Sequence, residues 1–180
     1  IDYGMNIHLK RKEFLDLINE YIGCFYQKIT GVSGLKLKYV SSYNDLSKDE
    51  LTDLYAKMLA KDINFGKTNV GIHMDDLKFS LNDKDLKDYG SEGQQKNAII
   101  AYKFSELEIF KKMKGNYPIL ILDDLFSELD LEKVQNILKL LKEEVQTFIT
   151  TTDVTKFSFL TSFSYKQIHI QNGKVVEESE

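Results

Sequence analysis

The run Pro118-Ile-Leu-Ile-Leu-Asp123-Asp124 limits the fold of this chain more than any other stretch. The unbroken apolar residues Ile119 to Leu122 leave no wet face, as expected of a central parallel strand covered on both faces. Pro118, which cannot donate to a ladder, sits where such a strand can begin. The strand ends in two carboxylates. Open α/β sheets bind ligands at the carboxyl ends of their strands, and a carboxylate there can hold the magnesium of a nucleotide, directly or through water. This is the Walker B pattern. Taken alone, an Asp pair after a strand is as often a helix cap or a solvated turn.

The neighbouring segments extend the pattern. Asp130 is placed to cap a helix through Val134, Ile137, Leu138 and Leu141, and Val145 to Ile149 reads as the next strand. A β-α-β succession predicts an α/β sheet. Upstream, Ala98, Ile99, Ile100, Ala101, Tyr102 and Phe104 leave almost no polar face, which predicts a buried helix beginning after Ser91 and stopped by Gly115 and Asn116. Nearer the start, apolar residues at spacings of three and four predict a helix over Lys10 to Ile29, broken by Gly31, Ser33 and Gly34. Leu35, Leu37 and Tyr39 alternate as a strand, Ser47 and Glu50 form a capping box opening a helix to about Ile63, and a turn-rich stretch runs from Asn64 to Gly71. Leu77, Phe79 and Leu81 followed by Asn82-Asp83 predict a hairpin, as does Asn172-Gly173 between Gln167–Gln171 and Lys174–Val176. The chain has no repeats or low-complexity tracts.

A length of 180 residues corresponds to one domain, or one and a half. With 24 basic and 28 acidic side chains the net charge is -4, which argues against strong nucleic-acid binding by this chain alone; any DNA surface must be local or shared. No stretch approaches the roughly 18 consecutive apolar residues of a membrane helix, and Ile1 to Lys10 lack the apolar core of a signal peptide, so a cytoplasmic, non-membrane chain is expected. An initial Ile in place of Met suggests a piece of a longer chain. The single cysteine, Cys24, excludes an internal disulfide and a cysteine-rich zinc site, and its helical, apolar setting suggests packing. His8, His73 and His169 are far apart and lack ligand partners at metal spacing, so structural roles are expected; core packing is expected of the many Tyr and Phe side chains.

Three further segments bear on chemistry. Tyr89-Gly90-Ser91-Glu92-Gly93-Gln94-Gln95 precedes the buried helix, where unpaired N–H groups, the Ser91 hydroxyl and the bare backbone of Gly93 would suit a terminal phosphate, although Ser and Gly before a helix are also ordinary capping chemistry. Phe126-Ser127-Glu128-Leu129-Asp130 follows the Asp pair, and Thr147-Phe-Ile-Thr150-Thr151-Thr152-Asp153 ends the next strand. Separately each is a turn with capping residues; their order along one sheet edge is the informative feature. No G-x-x-x-x-G-K-[ST] phosphate loop is present. The nearest candidate, Gly66-Lys67-Thr68, has Lys61 where the first Gly belongs and follows a helix instead of a strand.

With these motifs in place, the chain resembles the carboxyl-terminal half of the RecF family, within the ABC and SMC class of ATPases. The resemblance rests on Gly71-Ile-His73-Met-Asp75-Asp76, Ser91-Glu-Gly93-Gln94-Gln95, Pro118 to Asp124, Ser127-Glu128-Leu129-Asp130 and Gln146 to Thr152, and covers Lys61 to Asp153 well. The family's Gly-Pro-His-Arg-Asp-Asp reads here with Ile72 and Met74, and Asp124 stands where most ABC ATPases carry Glu, although Asp is usual for RecF-like proteins; the shorter side chain suggests slow turnover.

The resemblance implies an α/β fold, the carboxyl-terminal lobe of an ABC-type ATPase head at residues 63–180, preceded at 1–62 by the returning part of an inserted helical arm with a short strand. It implies ATP and Mg2+ as cofactors of the full-length protein, with this segment inactive alone because the phosphate loop lies elsewhere. Asp123 would hold the magnesium shell and Asp124 would orient or polarise the attacking water. Ser91 and Gly93 would cap the γ-phosphate held by a second head, with Gln94 and Gln95 supporting the loop. Ser127 and Asp130 would couple the two sites, and Thr151 or Thr152 would occupy the switch position. Partners implied are double-stranded DNA, an ATP-dependent homodimer, and RecR and RecO, with RecA downstream, in DNA replication, recombination, repair and the SOS response. Two other expectations are another SMC-like or ABC-like repair ATPase half, and a non-catalytic interaction module retaining the fold.

Overall fold

The structure is a computed structural model that describes residues 1–126, 129–153 and 164–179. Its spine is α1 (Asp2–Thr30), which starts well before the expected Lys10 and stops where Gly31 takes the left-handed conformation, φ 76°. Leu15, Ile18, Ile22, Phe25, Tyr26 and Ile29 recur at helical spacing and are all buried. The expected packing of Cys24 is not observed: it lies on the exposed side of this helix.

β1 (Leu35–Val40) lies against α1, where Asn19 takes the place of a neighbouring strand. The Asn19 side-chain Oδ1 accepts from the Leu37 N–H at 2.8 Å, and its Nδ2 donates to the Leu37 carbonyl at 2.9 Å. α2 (Lys48–Phe65) begins with the expected capping box, Ser47 with Glu50, and ends at Gly66 in the left-handed conformation. Gly66-Lys67-Thr68 is therefore a helix terminus. β2 (Asp76–Leu81) pairs antiparallel with β1 and turns through Asn82 and Asp83, both at positive φ, into β3 (Lys84–Asp85). The short α3 (Leu86–Tyr89) leads into α4 (Glu92–Lys114), which Gly115 terminates.

α4 packs along α1, with the rings of Phe25 and Phe104 5.7 Å apart, and the core joins both helices to Leu35, Leu37, Phe126, Val134 and Ile137. The segments divided at residue 62 in the sequence thus share one core. Complete burial of α4 is not observed. Ala98, Ile100, Ala101, Phe104 and Leu107 face the core, whereas Ile99, Phe110 and Met113 are exposed, because the described residues cover one side of the helix.

β4 (Leu120–Asp123), α5 (Leu131–Leu138) and β5 (Thr147–Thr150) form the expected parallel β-α-β unit, with Asp123 in register with Thr150. Leu122 is buried against the core. The expected cover on both faces is absent among the described residues: Ile121 and its cross-strand partner Phe148 are 65% and 50% exposed. An unbroken apolar run marks a strand able to be buried on two sides, and only one covering layer is present among the described residues. β6 (Gln167–Gln171) and β7 (Lys174–Ser179) make the hairpin signalled by Asn172-Gly173, with both turn residues at positive φ. Among the described residues no helix is long and apolar enough to cross a membrane.

Candidate functional site

Parallel pairing brings the carboxyl ends of β4 and β5 side by side, and the chemistry follows from that register. Asp123 is the last residue of β4. Its Oδ1 accepts the hydroxyl proton of Thr150, the last residue of β5, at 2.5 Å. The same Thr150 oxygen accepts from the backbone N–H of Asp124 at 3.0 Å. Asp124 departs from the strand at φ 46°, in the left-handed region that Asp and Asn enter more readily than other side chains. Both acids are exposed.

The chain then re-enters the core through Phe126 and Leu129, both buried, while Ser127 lies outside the described residues. Asp130 caps α5, accepting from the Lys133 N–H at 2.9 Å and pairing with the Lys133 ammonium, and these contacts hold its carboxyl below the usual carboxylate range. Of the threonines beyond β5, Thr151 closes a local turn, its Oγ1 accepting from the Asp153 N–H at 3.1 Å, and Thr152 is exposed.

The second cluster is the start of α4. Ser91 is its N-cap: its Oγ accepts from the Gln94 N–H at 3.3 Å, and the Gln94 side chain returns to the Ser91 N–H at 2.9 Å. Ordinary capping chemistry is thus satisfied, while the Ser91 hydroxyl remains exposed and keeps a proton to give. Gln95 braces the turn before the helix, donating to the carbonyls of Leu86 at 2.9 Å and Gly90 at 3.3 Å. Gly90 is required there, since a Cβ would lie 2.5 Å from the Leu86 carbonyl oxygen. Gly93 has no such packing reason. Nothing stands within 4 Å of where its Cβ would be, so its bare backbone faces open space.

The Gly71–Asp76 segment has a different setting. Asp75, its side chain 3% exposed, accepts from Arg11 of α1 at 2.8 Å and from the Tyr39 hydroxyl of β1, and its Oδ1 is buried without a hydrogen-bond partner. His73 is exposed, with Nε2 3.0 Å from the Thr68 carbonyl oxygen. His8 is buried and stacked on Tyr39 and Tyr43, and burial lowers its pKa. A groove of about 460 Å³ between α1 and the end of α4, lined by Phe14, Leu107, Phe110, Met113, Pro118 and Leu120, contains none of the candidate site residues.

The hard oxygen donors at Asp123 and Asp124 suit Mg2+, which is held through one or two carboxylates together with substrate phosphates. No cluster of three His, Cys, Asp or Glu side chains able to hold a metal by themselves occurs among the described residues. A strand end with two exposed acids can supply carboxylate oxygens to a cation whose other positions are filled by water or by a ligand phosphate. The α4 start, with its exposed hydroxyl and open backbone, can accept an anion.

Sequence reasoning named Thr150 within its segment without giving it a role, and missed Arg11 and Tyr39. Thr150 was accessible in principle, since aligning the ends of two parallel strands puts it opposite Asp123. Arg11 and Tyr39 carry no local signal.

No protein-family model matches the chain. It is 36% identical to the DNA replication and repair protein RecF of Ligilactobacillus salivarius over 184 residues, 98% of this chain and 48% of that protein. Against RecF of Clostridioides difficile it is 37% identical over 182 residues, 97% of this chain and 49% of that protein. The chain thus spans about half the length of the curated relatives it matches. Among solved structures, the recombination mediator protein RecF bound to ATP, of the RecFOR pathway, superposes with a TM-score of 0.77 at 29% identity, over 99% of this chain and 48% of that one. An SMC head bound to the C-winged helix domain of ScpA shares the fold alone, with a TM-score of 0.51 at 18% identity.

Proposed function

From the premise that this chain is a RecF relative, consistent with the carboxyl-terminal half of such a protein, we propose that it supplies one half of a nucleotide site shared between two ATPase heads. The reading is carried by one observation: Asp123 and Asp124 stand exposed at the end of a parallel strand, joined by Thr150 into one unit. In this reading Asp123 binds Mg2+, which when bound neutralises charge on the phosphates, and Asp124 orients the water that attacks the γ-phosphate. Ser91 and Gly93 cap the γ-phosphate of the opposing head, while Gln94 and Gln95 hold their loop in place. Ser127 and Asp130 link the two sites, and Thr151 or Thr152 stands at the switch position. Catalysis of this kind is positioning and charge stabilisation, with little covalent work for the protein.

The phosphate loop must come from outside these 180 residues. The division into an arm portion at 1–62 and a lobe at 63–180 belongs to the same proposal, as does ATP-driven closure of paired heads on duplex DNA near gaps, with RecR and RecO, in support of RecA loading. A chain of net charge -4 reaches DNA only through a local or shared basic surface, which suits a clamp assembled from two copies.

The test is ATP-dependent association of the full-length protein, followed by light scattering with and without duplex DNA. Association that requires ATP, and an Asp124→Asn variant trapped as an ATP-bound dimer, are the expected results; hydrolysis unchanged in that variant would remove the role of Asp124. The isolated chain is expected neither to hydrolyse ATP nor to bind it tightly, and tight binding in a titration would contradict the shared site.

A further inference from the structure

We propose that Thr150 is a positioning residue for the Asp123–Asp124 pair, fixing one carboxylate through its side chain and the other residue through its backbone. The proposal rests on the reading of that pair as the hydrolytic half-site. It concerns neither Thr151 nor Thr152, which lie beyond the strand.

Asp123 is the final residue of β4, and Asp124 leaves the ladder at φ 46°. Thr150 addresses both at once. Its single hydroxyl donates its proton to Asp123 Oδ1 and accepts the Asp124 N–H. The hydroxyl's one proton is thereby committed to Asp123 Oδ1, and Oδ2 is the Asp123 oxygen left for a cation. Thr suits this task because its branched Cβ restricts χ1 while the strand fixes its backbone. Parallel pairing of Leu120 to Thr147 through Asp123 to Thr150 sets the height of the hydroxyl, so its position is decided by the sheet and not by a loop. Groups that orient a ligating carboxylate commonly affect activity or metal affinity about 10–100-fold when lost.

The experiment compares Thr150→Val, which keeps the shape and removes the hydroxyl, with Thr150→Ser, which keeps the hydroxyl, in the full-length protein. Hydrolysis is measured against both ATP and Mg2+ concentration. For Thr150→Val the expected result is a roughly tenfold lower kcat and a several-fold higher Mg2+ half-saturation, with KM for ATP nearly unchanged, because only the carboxylate's orientation is lost. Thr150→Ser should restore both quantities to within about twofold. A Thr150→Val protein with normal kcat and Mg2+ dependence overturns the proposal, and so does a Thr150→Ser protein as impaired as Thr150→Val. If circular dichroism shows that the Val variant is misfolded, Thr150→Ala takes its place under the same criteria. Asp124→Asn separates the two levels. Normal hydrolysis in that variant removes the half-site reading itself, whereas its loss alongside a fully active Thr150→Val removes only the role of Thr150.

Discussion

Arg11 and Asp75, separated by 64 residues in the chain, meet at 2.8 Å and tie the first helix to the turn before β2. The same guanidinium nitrogen donates to the Ile72 carbonyl at 2.7 Å, and the Tyr39 hydroxyl donates to the same Asp75 oxygen. The positive charge facing Asp75 comes from Arg11 of α1. The acid of this motif thus works as an anchor among α1, β1 and the turn.

Arg11→Met should therefore destabilise the chain. The substitution leaves a carboxylate 3% exposed without its cation, whereas Arg11 itself is 45% exposed and loses little on becoming apolar. Stranding a buried charge costs about 3–5 kcal/mol when the pair is fully buried; with one partner half in water we expect about 2 kcal/mol. Urea denaturation should show a lower midpoint with an unchanged slope, and an unaltered midpoint would contradict the anchor.

His8 makes stability pH-dependent in the mildly acidic range. Burial between Tyr39 and Tyr43 lowers its folded pKa, with Asp75 and Asp45 opposing the shift and Lys12 assisting it. A depressed folded pKa means the unfolded state binds the proton first. The contribution is then complete above the unfolded value near 6.5 and is lost as pH falls toward the lower folded value, at no more than about 1.4 kcal/mol per pH unit. Asp2, Glu50, Asp85 and Asp130, whose pKa values are also lowered, lose their contributions only further down, in the carboxylate range. Denaturation at pH 7.5 and 5.5 should show a slope that His8→Phe, which keeps the ring stack, largely removes.

The features legible in the sequence were local ones. Ser47, Ser91 and Asp130 are caps because a short polar side chain precedes an apolar helical period, and Asn82-Asp83 and Asn172-Gly173 are turns because those residues tolerate positive φ. The β4-α5-β5 order was readable for the same reason. What could not be read depends on lateral placement: Thr150 acts through strand register, and Arg11 acts across 64 residues. Cys24 and the outer side of α4 illustrate a second limit. An apolar pattern shows which side can be buried, and whether a covering layer is present is a property of the assembled chain.

Asp124 carries a backbone requirement separate from its proposed chemistry. At φ 46° a Cβ is crowded by the carbonyl that follows, costing roughly 1–2 kcal/mol for an ordinary residue, whereas Asp and Asn occupy this region more readily. Asp124→Asn should leave the stability of the chain nearly unchanged, and Asp124→Val should lower it by about 1–2 kcal/mol. Equal melting temperatures for the two variants would show that the conformation imposes no such demand.

Ser91 allows its two roles to be separated by a single substitution. As an N-cap it needs only an acceptor for the Gln94 N–H, and Asp serves that purpose as well as Ser, while Ala does not. As a cap on a γ-phosphate it needs a donor free of negative charge. Ser91→Ala should therefore cost the isolated chain about 1 kcal/mol, and Ser91→Asp should cost it almost nothing. In the full-length protein the order reverses: Ser91→Asp sets a carboxylate against the phosphate and should abolish ATP-dependent association, while Ser91→Ala, which removes one hydrogen bond without adding charge, should only weaken it. Thermal melts of the chain and light scattering of the full-length protein read the two effects independently. If Ser91→Asp dimers form normally with ATP, the serine is a helix cap and no more.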